Sequence, residues 1–333
     1  MNGDSSLDPT LSIIEKILHL RRQQMGDVSN AVSAAQLSVI ADQMRDRSFK
    51  AGSVLLREGE APASAFSIVR GRVRVSRRGT TLGEVGPGAS VAMGAIVSRD
   101  TLGLGAVAAT DVFALELDRD VLIDIFDDHF PILLEAIRDA AGRHLALIRT
   151  MSQIPRQLPR IRREPPPADR LDLVERLLYL KAPGGPFERS ALDALAEVAE
   201  RARQRTIEPG TSLWNEGEHS GGGCLLVSGT LACSSSTDHG PVTFRVEPGS
   251  VIGALEAMAG QPRWHNTVAE TRVDLLEYDV DDLIDVIEDN VDMGTDFLSW
   301  VSSDALNLIE RVYGPGPELL YFLTTSQAMS DPE

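Results

Sequence analysis

Two hydrophobic rhythms alternate along the chain. Apolar residues at i, i+3 and i+4, such as Ile13, Ile14, Ile17 and Leu18, predict an amphipathic helix over about 11–22. The same spacing predicts helices at roughly 35–46, 171–181 and 189–204, and long ones at about 129–151 and 290–312. Ser190 is expected to cap the helix ALDALAEVAERAR by accepting from its first free N–H groups. Ahead of each long helix lie about 70 residues of short period-two runs split by Gly and Pro, the pattern of antiparallel strands in a barrel or sandwich. In SIVRGRVRV, Ile68, Val73 and Val75 share one face, Arg72 and Arg74 take the other, and Arg70-Gly71 marks a turn. Arg70, Arg72, Arg74, Arg77 and Arg78 form the densest basic patch, read as a solvated strand face or as a site for an acidic partner.

The pattern occurs twice, and so do the residues. LSIIEKILHL at 11–20 answers LDLVERLLYL at 171–180, and FKAGSVLLREGE at 49–60 answers IEPGTSLWNEGE at 207–218. FSIVRGRVRV at 66–75 corresponds to CLLVSGTLAC at 224–233, and GPGASVAMGAIV at 86–97 to EPGSVIGALEAM at 247–258. LDRDVLIDIFDD at 117–128 matches YDVDDLIDVIED at 278–289. Collinear matches at nearly constant offset mean an internal duplication. The expected domains are 1–152 and 171–313, joined by a Pro/Arg-rich linker at 153–170 and followed by a tail at 314–333. The prolines of QIPRQLPRIRREPPPADR forbid continuous helix and favour an extended spacer. Its Arg156, Arg160, Arg162 and Arg163 are either solvated or free to dock on an acidic surface. The chain has 333 residues, 43% of them hydrophobic, enough for two domains of ~150 residues each.

Composition removes several function classes. Mixed charge among regularly spaced Leu, Ile and Val excludes disorder of the whole chain. The 32 Lys and Arg against 49 Asp and Glu leave a net charge of −17, which argues against DNA as a partner. Two cysteines make no disulfide framework. MNGDSSLDPTLSIIEKIL shows no basic region leading into an apolar one, and no apolar run reaches membrane-spanning length, so a cytoplasmic protein with no membrane partner is expected. The six histidines never frame a carboxylate at i, i+4, and no Cys-x-x-Cys occurs, so no metal is expected. Without a Gly-x-Ser-x-Gly elbow or a P-loop (Gly221-Gly222-Gly223 lacks the following Lys), no enzyme and no cofactor are expected.

PG-x₃-L-x-x-EGE, a strand-[RS]-G-strand hairpin, PG-x-x-hydrophobic before a short helix, and the LDRD and YDVDD lead-ins to the closing helices are together similar to the cyclic-nucleotide-binding domain family. That family includes catabolite-activator-type regulators, kinase regulatory subunits and gated channels. The resemblance covers about 48–150 and 206–312 and implies an α+β fold: two tandem β-rolls (jelly-roll barrels), each flanked by N-terminal helices and a long closing helix. It also implies a phosphate-binding cassette, in which a Gly-Glu turn opens a short helix and a Pro-Arg-[Ser/Thr]-Ala segment follows. There the helix start and the arginine hold the cyclic phosphate, and the glutamate accepts from the ribose hydroxyl.

The first copy departs at both places. Ala92-Met93 stands where Gly-Glu is expected, and Leu102 and Gly103 replace the arginine and the hydroxyl residue, which leaves a degenerate pocket. The second copy is intermediate. It keeps Gly253, replaces the glutamate with Ala254 before Leu255, and keeps Pro262-Arg263, followed by Trp264 and His265. Arg263 is then either the anchor of a cyclic mono- or dinucleotide, with Trp264 and His265 near its base, or a structural arginine paired with Glu256 or another carboxylate. Glu256 lies two residues late and is expected to point elsewhere unless the turn is rebuilt.

Cys224 and Cys233 sit symmetrically about Ser228-Gly229, so a hairpin there would set them face to face, as a redox pair or as small reduced core residues. Leu134, Ile137 and Ala141 in the first closing helix, and Leu298, Val301 and Leu308 in the second, follow a 3.5-residue seam. In the activator branch the equivalent helix forms the dimer interface. A homodimer through these helices is therefore expected, with pairing of the two seams inside one chain, or of each on its own barrel, as the alternatives. The remaining GPGPELLYFLTTSQAMSDPE is too short for a helix-turn-helix and is expected to pack on the second barrel or to serve as a docking peptide. The reading is a regulatory or scaffold protein with largely degenerate ligand sites, acting through self-association and protein partners. The alternative is a sensor that binds a cyclic nucleotide in the second domain.

Overall fold

A computed structural model describes residues 11–24, 33–97, 103–151, 170–237 and 240–324. The linker arginines, Leu102 and the last nine residues lie outside the described residues. The first repeat begins with α1 (Ile13–Gln24) and α2 (Ala34–Gln43), then β1 (Arg45–Phe49), β2 (Val54–Leu56), β3 (Ser64–Arg70), β4 (Val73–Arg77), β5 (Thr80–Val85) and β6 (Ser90–Val91). A short helix α3 (Met93–Val97) leads to β7 (Leu104–Ala108), β8 (Val112–Asp118), α4 (Arg119–Asp128) and α5 (Phe130–Arg149). The second repeat runs through α6 (Leu173–Leu180), α7 (Leu192–Arg201), β9 (Arg203–Ile207), β10 (Ser212–Trp214), β11 (Gly222–Ser228), β12 (Leu231–Thr237), β13 (Gly240–Val246) and β14 (Val251–Ile252). It closes with α8 (Ala254–Met258), β15 (Asn266–Ala269), β16 (Val273–Asp279), α9 (Val280–Asp289) and α10 (Val291–Tyr313), and α11 (Pro317–Thr324) follows. By packing, one unit comprises 1–132 with 306–333 and the other 133–305.

Helix starts follow from local chemistry. Ser33 and Gln36 form a capping box at α2, and Asp172 and Glu175 another at α6. Ser190 does not cap α7. Ala191 holds that position, while Ser190 is buried and its carbonyl accepts from Lys181 Nζ at 2.7 Å.

Each repeat folds into two four-stranded antiparallel sheets of the same order: β1-β8-β3-β6 and β2-β7-β4-β5 in the first, β9-β16-β11-β14 and β10-β15-β12-β13 in the second. The Arg70-Gly71 and Ser228-Gly229 turns therefore do not close hairpins. They carry the chain from one sheet to the other, β3 to β4 and β11 to β12. Only glycine fits there: a Cβ on Gly71 would lie 2.2 Å from the Asp111 carbonyl, and one on Gly229 2.2 Å from that of Arg272. Cys224 and Cys233 consequently sit in different sheets, paired with Glu277 and Ile252 and with Phe244 and Thr267. Both are free and share one buried apolar cluster with Leu226, Leu231 and Leu275. Burial pushes both thiols up, Cys233 to about 12, so these are reduced core residues rather than nucleophiles.

The closing-helix seam is consumed within a single chain. Ile137, Ala141, Leu298 and Val301 are buried, and Leu134 and Leu308 are half-buried. α5 and α10 meet in the second unit: a Cβ on Gly294 would lie 2.8 Å from Leu133 Cδ2, and His144 Nε2 stands 3.6 Å from Asp304. The expected homodimer surface is therefore largely unavailable. The C-terminal segment also departs from expectation. α11 packs in the first unit, on β5, β6 and α3, with Leu319 buried. Among the described residues no helix is long and apolar enough to cross a membrane, and no group of His, Cys, Asp or Glu could hold a metal.

The turn before each short helix needs a left-handed residue. Gly253 supplies it at φ 77°, whereas the first repeat uses Ala92 at φ 68°. A left-handed alanine costs ~1–2 kcal/mol. Ala92→Gly is expected to raise unfolding free energy by about 1 kcal/mol in urea titration. Gly253→Ala should lower it by about 2 kcal/mol or more, because its Cβ would stand 2.2 Å from Arg263 Nη1.

Candidate functional site

The second cassette is built on three chain segments. The turn at Gly253 starts α8, the Pro262-Arg263-Trp264 segment leads into β15, and the Glu216-Gly217-Glu218 turn follows β10. Backbone pairing joins the last two: Arg263 N–H donates to the Glu218 carbonyl at 2.9 Å, and Gly217 N–H donates to the Arg263 carbonyl at 2.8 Å. This fixes the base of the Arg263 side chain.

The guanidinium turns inward and is 8% exposed. Nη1 donates to the Gly253 carbonyl at 3.0 Å, and Nη2 donates to the Gly222 carbonyl at 2.7 Å. Its carbon lies 4.0 Å from the centroid of Trp214, a cation–π contact. Arg263 thus spends two of its donor groups on backbone carbonyls of the pocket wall.

Glu256 does not point elsewhere. It is 2% exposed, within α8, with its Oε1 3.8 Å from His265 Nε2. Burial pushes its carboxyl up, opposed by the N–H of Glu256 itself, by Arg263 and Arg149, and by the N–H of Trp264. Its carboxyl group therefore lies inside the cassette, near Arg263 and the Trp264 N–H. Burial, opposed by the Asn266 carbonyl and reinforced by Arg263, lowers His265 to about 4, so its ring is neutral near pH 7. His265 Nδ1 lies 2.8 Å from the Thr267 hydroxyl.

Trp264 walls the pocket by stacking on Phe244 (centroids 5.4 Å apart, planes at 11°) and meeting His265 edge-on at 4.7 Å. Leu145 of α5, Val242 and Leu255 complete that apolar cluster. Ala254 is buried at the helix start, and the Tyr278 hydroxyl is buried close by without a hydrogen-bond partner. A Cβ on Gly223 would meet this hydroxyl at 2.6 Å and the Ala254 nitrogen at 3.0 Å.

In the first unit the equivalent turn is Ala92, with Met93 half-buried at the start of α3. Gly103 serves the β4–β5 turn, accepting from the Arg78 N–H at 3.2 Å. Arg72 and Arg74 are exposed as expected, and Arg74 pairs with Glu84. Arg77, in contrast, is buried on the inward face of β4.

A sequence model described as "Cyclic nucleotide-binding domain" matches residues 46–129 and again 204–290. The chain belongs to this family. Both matches fall on the two β-rolls, so the protein carries two tandem cyclic nucleotide-binding domains of α+β architecture. Among solved structures, the regulatory domain of Toxoplasma gondii PKA in co-crystal with cAMP is 15% identical, covering 89% of this chain and 99% of that one, with a TM-score of 0.33. The regulatory subunit of a cAMP-independent protein kinase A from Trypanosoma cruzi, bound to guanosine, is 16% identical over 89% and 94%, with a TM-score of 0.35. The N-terminal domain of a transcriptional regulator from Streptomyces coelicolor A3(2) is 22% identical over 38% and 91%, also at 0.35. No curated protein sequence matches the chain.

Sequence reasoning placed Gly253, Ala254, Leu255, Arg263, Trp264 and His265 of the second cyclic nucleotide-binding domain together, and they do surround one cassette. It missed Trp214, Gly222, Phe244 and Leu145. Comparing the repeats would have flagged Trp214, which stands where the first copy has Leu56.

The buried neutral His265 makes this domain acid-sensitive. Unfolded chains protonate the ring near pH 6.5, and the folded domain resists until about 4, so its stability contribution is complete above 6.5 and lost as pH falls toward 4. Glu256, raised by burial, acts in the opposite sense. Between pH 7 and 4.5 the unfolding free energy of His265→Gln should fall by about 2–3 kcal/mol less than that of the wild type. Urea titrations at the two pH values measure this, and parallel losses would show that His265 is not held neutral.

Proposed function

We propose that this is a non-enzymatic regulatory or scaffold protein whose cyclic nucleotide-binding domains have closed their ligand sites with their own groups. It acts through protein partners. The observation that carries this reading is the engagement of Arg263 by the Gly253 and Gly222 carbonyls and by Trp214. A cyclic phosphate would have to displace those contacts.

The partner surface is assigned to two faces that the duplication repeats. Ile13, Ile14 and Leu18 of α1 and Leu173, Val174 and Leu178 of α6 occupy equivalent positions, and all six are exposed, Ile14 at 69% and Val174 at 63%. Large exposed apolar side chains at matched sites suit a protein ligand better than water. The closing helices, whose seam is mostly buried, are the weaker candidate for self-association.

A second reading, a sensor of a cyclic mono- or dinucleotide in the second domain, draws on one observation. Arg263 Nε, Glu256 Oε1 and the Tyr278 hydroxyl are buried without hydrogen-bond partners. Calorimetric titration with cyclic AMP, cyclic GMP and cyclic di-GMP separates the two. The closed-pocket reading expects no heat at millimolar ligand, and Arg263→Ala to cost about 2–4 kcal/mol of stability. Micromolar binding at one site per chain, weakened at least tenfold by Arg263→Ala in a folded protein, would establish the sensor instead.

Sedimentation velocity tests the partner surface. A single 36.0 kDa species leaves the α1 and α6 faces to another protein. A dimer dispersed by Ile14→Glu with Val174→Glu assigns them to a second copy. A dimer dispersed only by Leu134→Glu with Leu308→Glu returns the interface to the closing helices.

A further inference from the structure

Arg77 belongs to no cassette position, yet its guanidinium is buried in the first unit. It ends β4 on the same inward face as Val73 and Val75 and is 4% exposed. Its cross-strand partners are Leu104 on β7 and Thr80 on β5, and its inward neighbour Val75 faces Ala106. One donor, Nη2, reaches Glu310 Oε2 of α10 at 2.9 Å, and the other oxygen of Glu310 takes Arg78 Nη1 at 2.8 Å. Arg77 Nε and Nη1 are buried with no hydrogen-bond partner. The open Nε lies on the same edge of the guanidinium as Nη2, and that edge suits two parallel bonds to one oxyanion.

The segment that carries Glu310 also covers this wall. α11 lies on β5, β6 and α3, and a Cβ on Gly83 would stand 2.7 Å from Leu320 Cδ2. The second domain has Phe244 at the position equivalent to Gly83 and fills the space itself.

We propose that Arg77 anchors a binding site in the first unit for a small oxyanion on an apolar body, and that Glu310 is its internal competitor. The anion takes Nε and Nη2, the two donors that share one edge of the guanidinium, so it displaces Glu310 from Nη2, and its apolar body replaces Leu320 against β5. This proposal is independent of how the second domain's cassette is read.

The test is calorimetry on the full chain with phenyl phosphate and 3-phenylpropionate, and with 3-phenylpropanol as the neutral control. Glu310→Gln should bind at least one of the two anions tenfold or more tightly than the wild type, and which one identifies phosphate or carboxylate as the group read. Arg77→Met with Glu310→Gln removes both charges together and should abolish the gain. Equal affinity in wild type and Glu310→Gln, equal binding of the alcohol, absence of binding to Glu310→Gln at millimolar anion, or a gain that survives without Arg77 would each overturn the proposal. Should the double variant fail to fold, the Arg77 Nε–H resonance of Glu310→Gln decides: it must shift on adding the bound anion, and a static resonance overturns the assignment.

Discussion

A guanidinium removed from water must find acceptors, and the interior of each β-roll is arranged around that requirement. Desolvating such a charge costs several kcal/mol unless hydrogen bonds and opposite charge replace the lost water. In the second domain Arg263 finds two backbone carbonyls and the face of Trp214, and the Glu256 carboxyl lies nearby. Gly253 cannot carry a side chain because Arg263 occupies the space, and the Glu216–Glu218 turn holds the arginine's backbone. In the first unit Arg77 faces the same problem from a different strand and meets a carboxylate from α10. Both buried guanidiniums are thus met by groups of their own chain.

The two repeats share a plan and diverge in how they fill it. Phe244 and Trp264 stack in the second domain where the first has Gly83 and Gly103. The first unit recovers apolar cover from outside its own barrel, through α11 and Leu320. The turn before the short helix follows the same division. Glycine takes the left-handed conformation freely in the second copy, and alanine takes it under strain in the first. A cassette turn kept at that cost points to a backbone geometry that the β-roll needs with or without a ligand.

Much of this architecture was legible in the residues. The collinear repeats, the period-two runs and the Gly turns led to two β-rolls, and the closing helices begin within a residue of expectation. The errors have one physical origin. Alternation tells which face a residue takes and says nothing about which strand lies beside it. The Gly71 and Gly229 turns therefore read as hairpins although they connect opposite sheets, and Cys224 and Cys233 read as cross-strand neighbours. Glu256 was misplaced for a related reason, because a count of two residues past the expected position does not reveal that the first turn of α8 directs it inward.

The sequence by itself determined the duplication, the α+β class, the strand faces and the residues that gather at the second cassette, because these depend on local periodicity and on motifs a few residues long. Only the tertiary structure decided what the charged and apolar groups are paired with. Whether Arg263 is open or engaged, which residues of the closing helices are buried, and where α11 lies all depend on residues far apart in sequence. Arg77 and Glu310, 233 residues apart, are the plainest case. No spacing rule connects them, and what joins them is the need of a buried charge for a counter-charge.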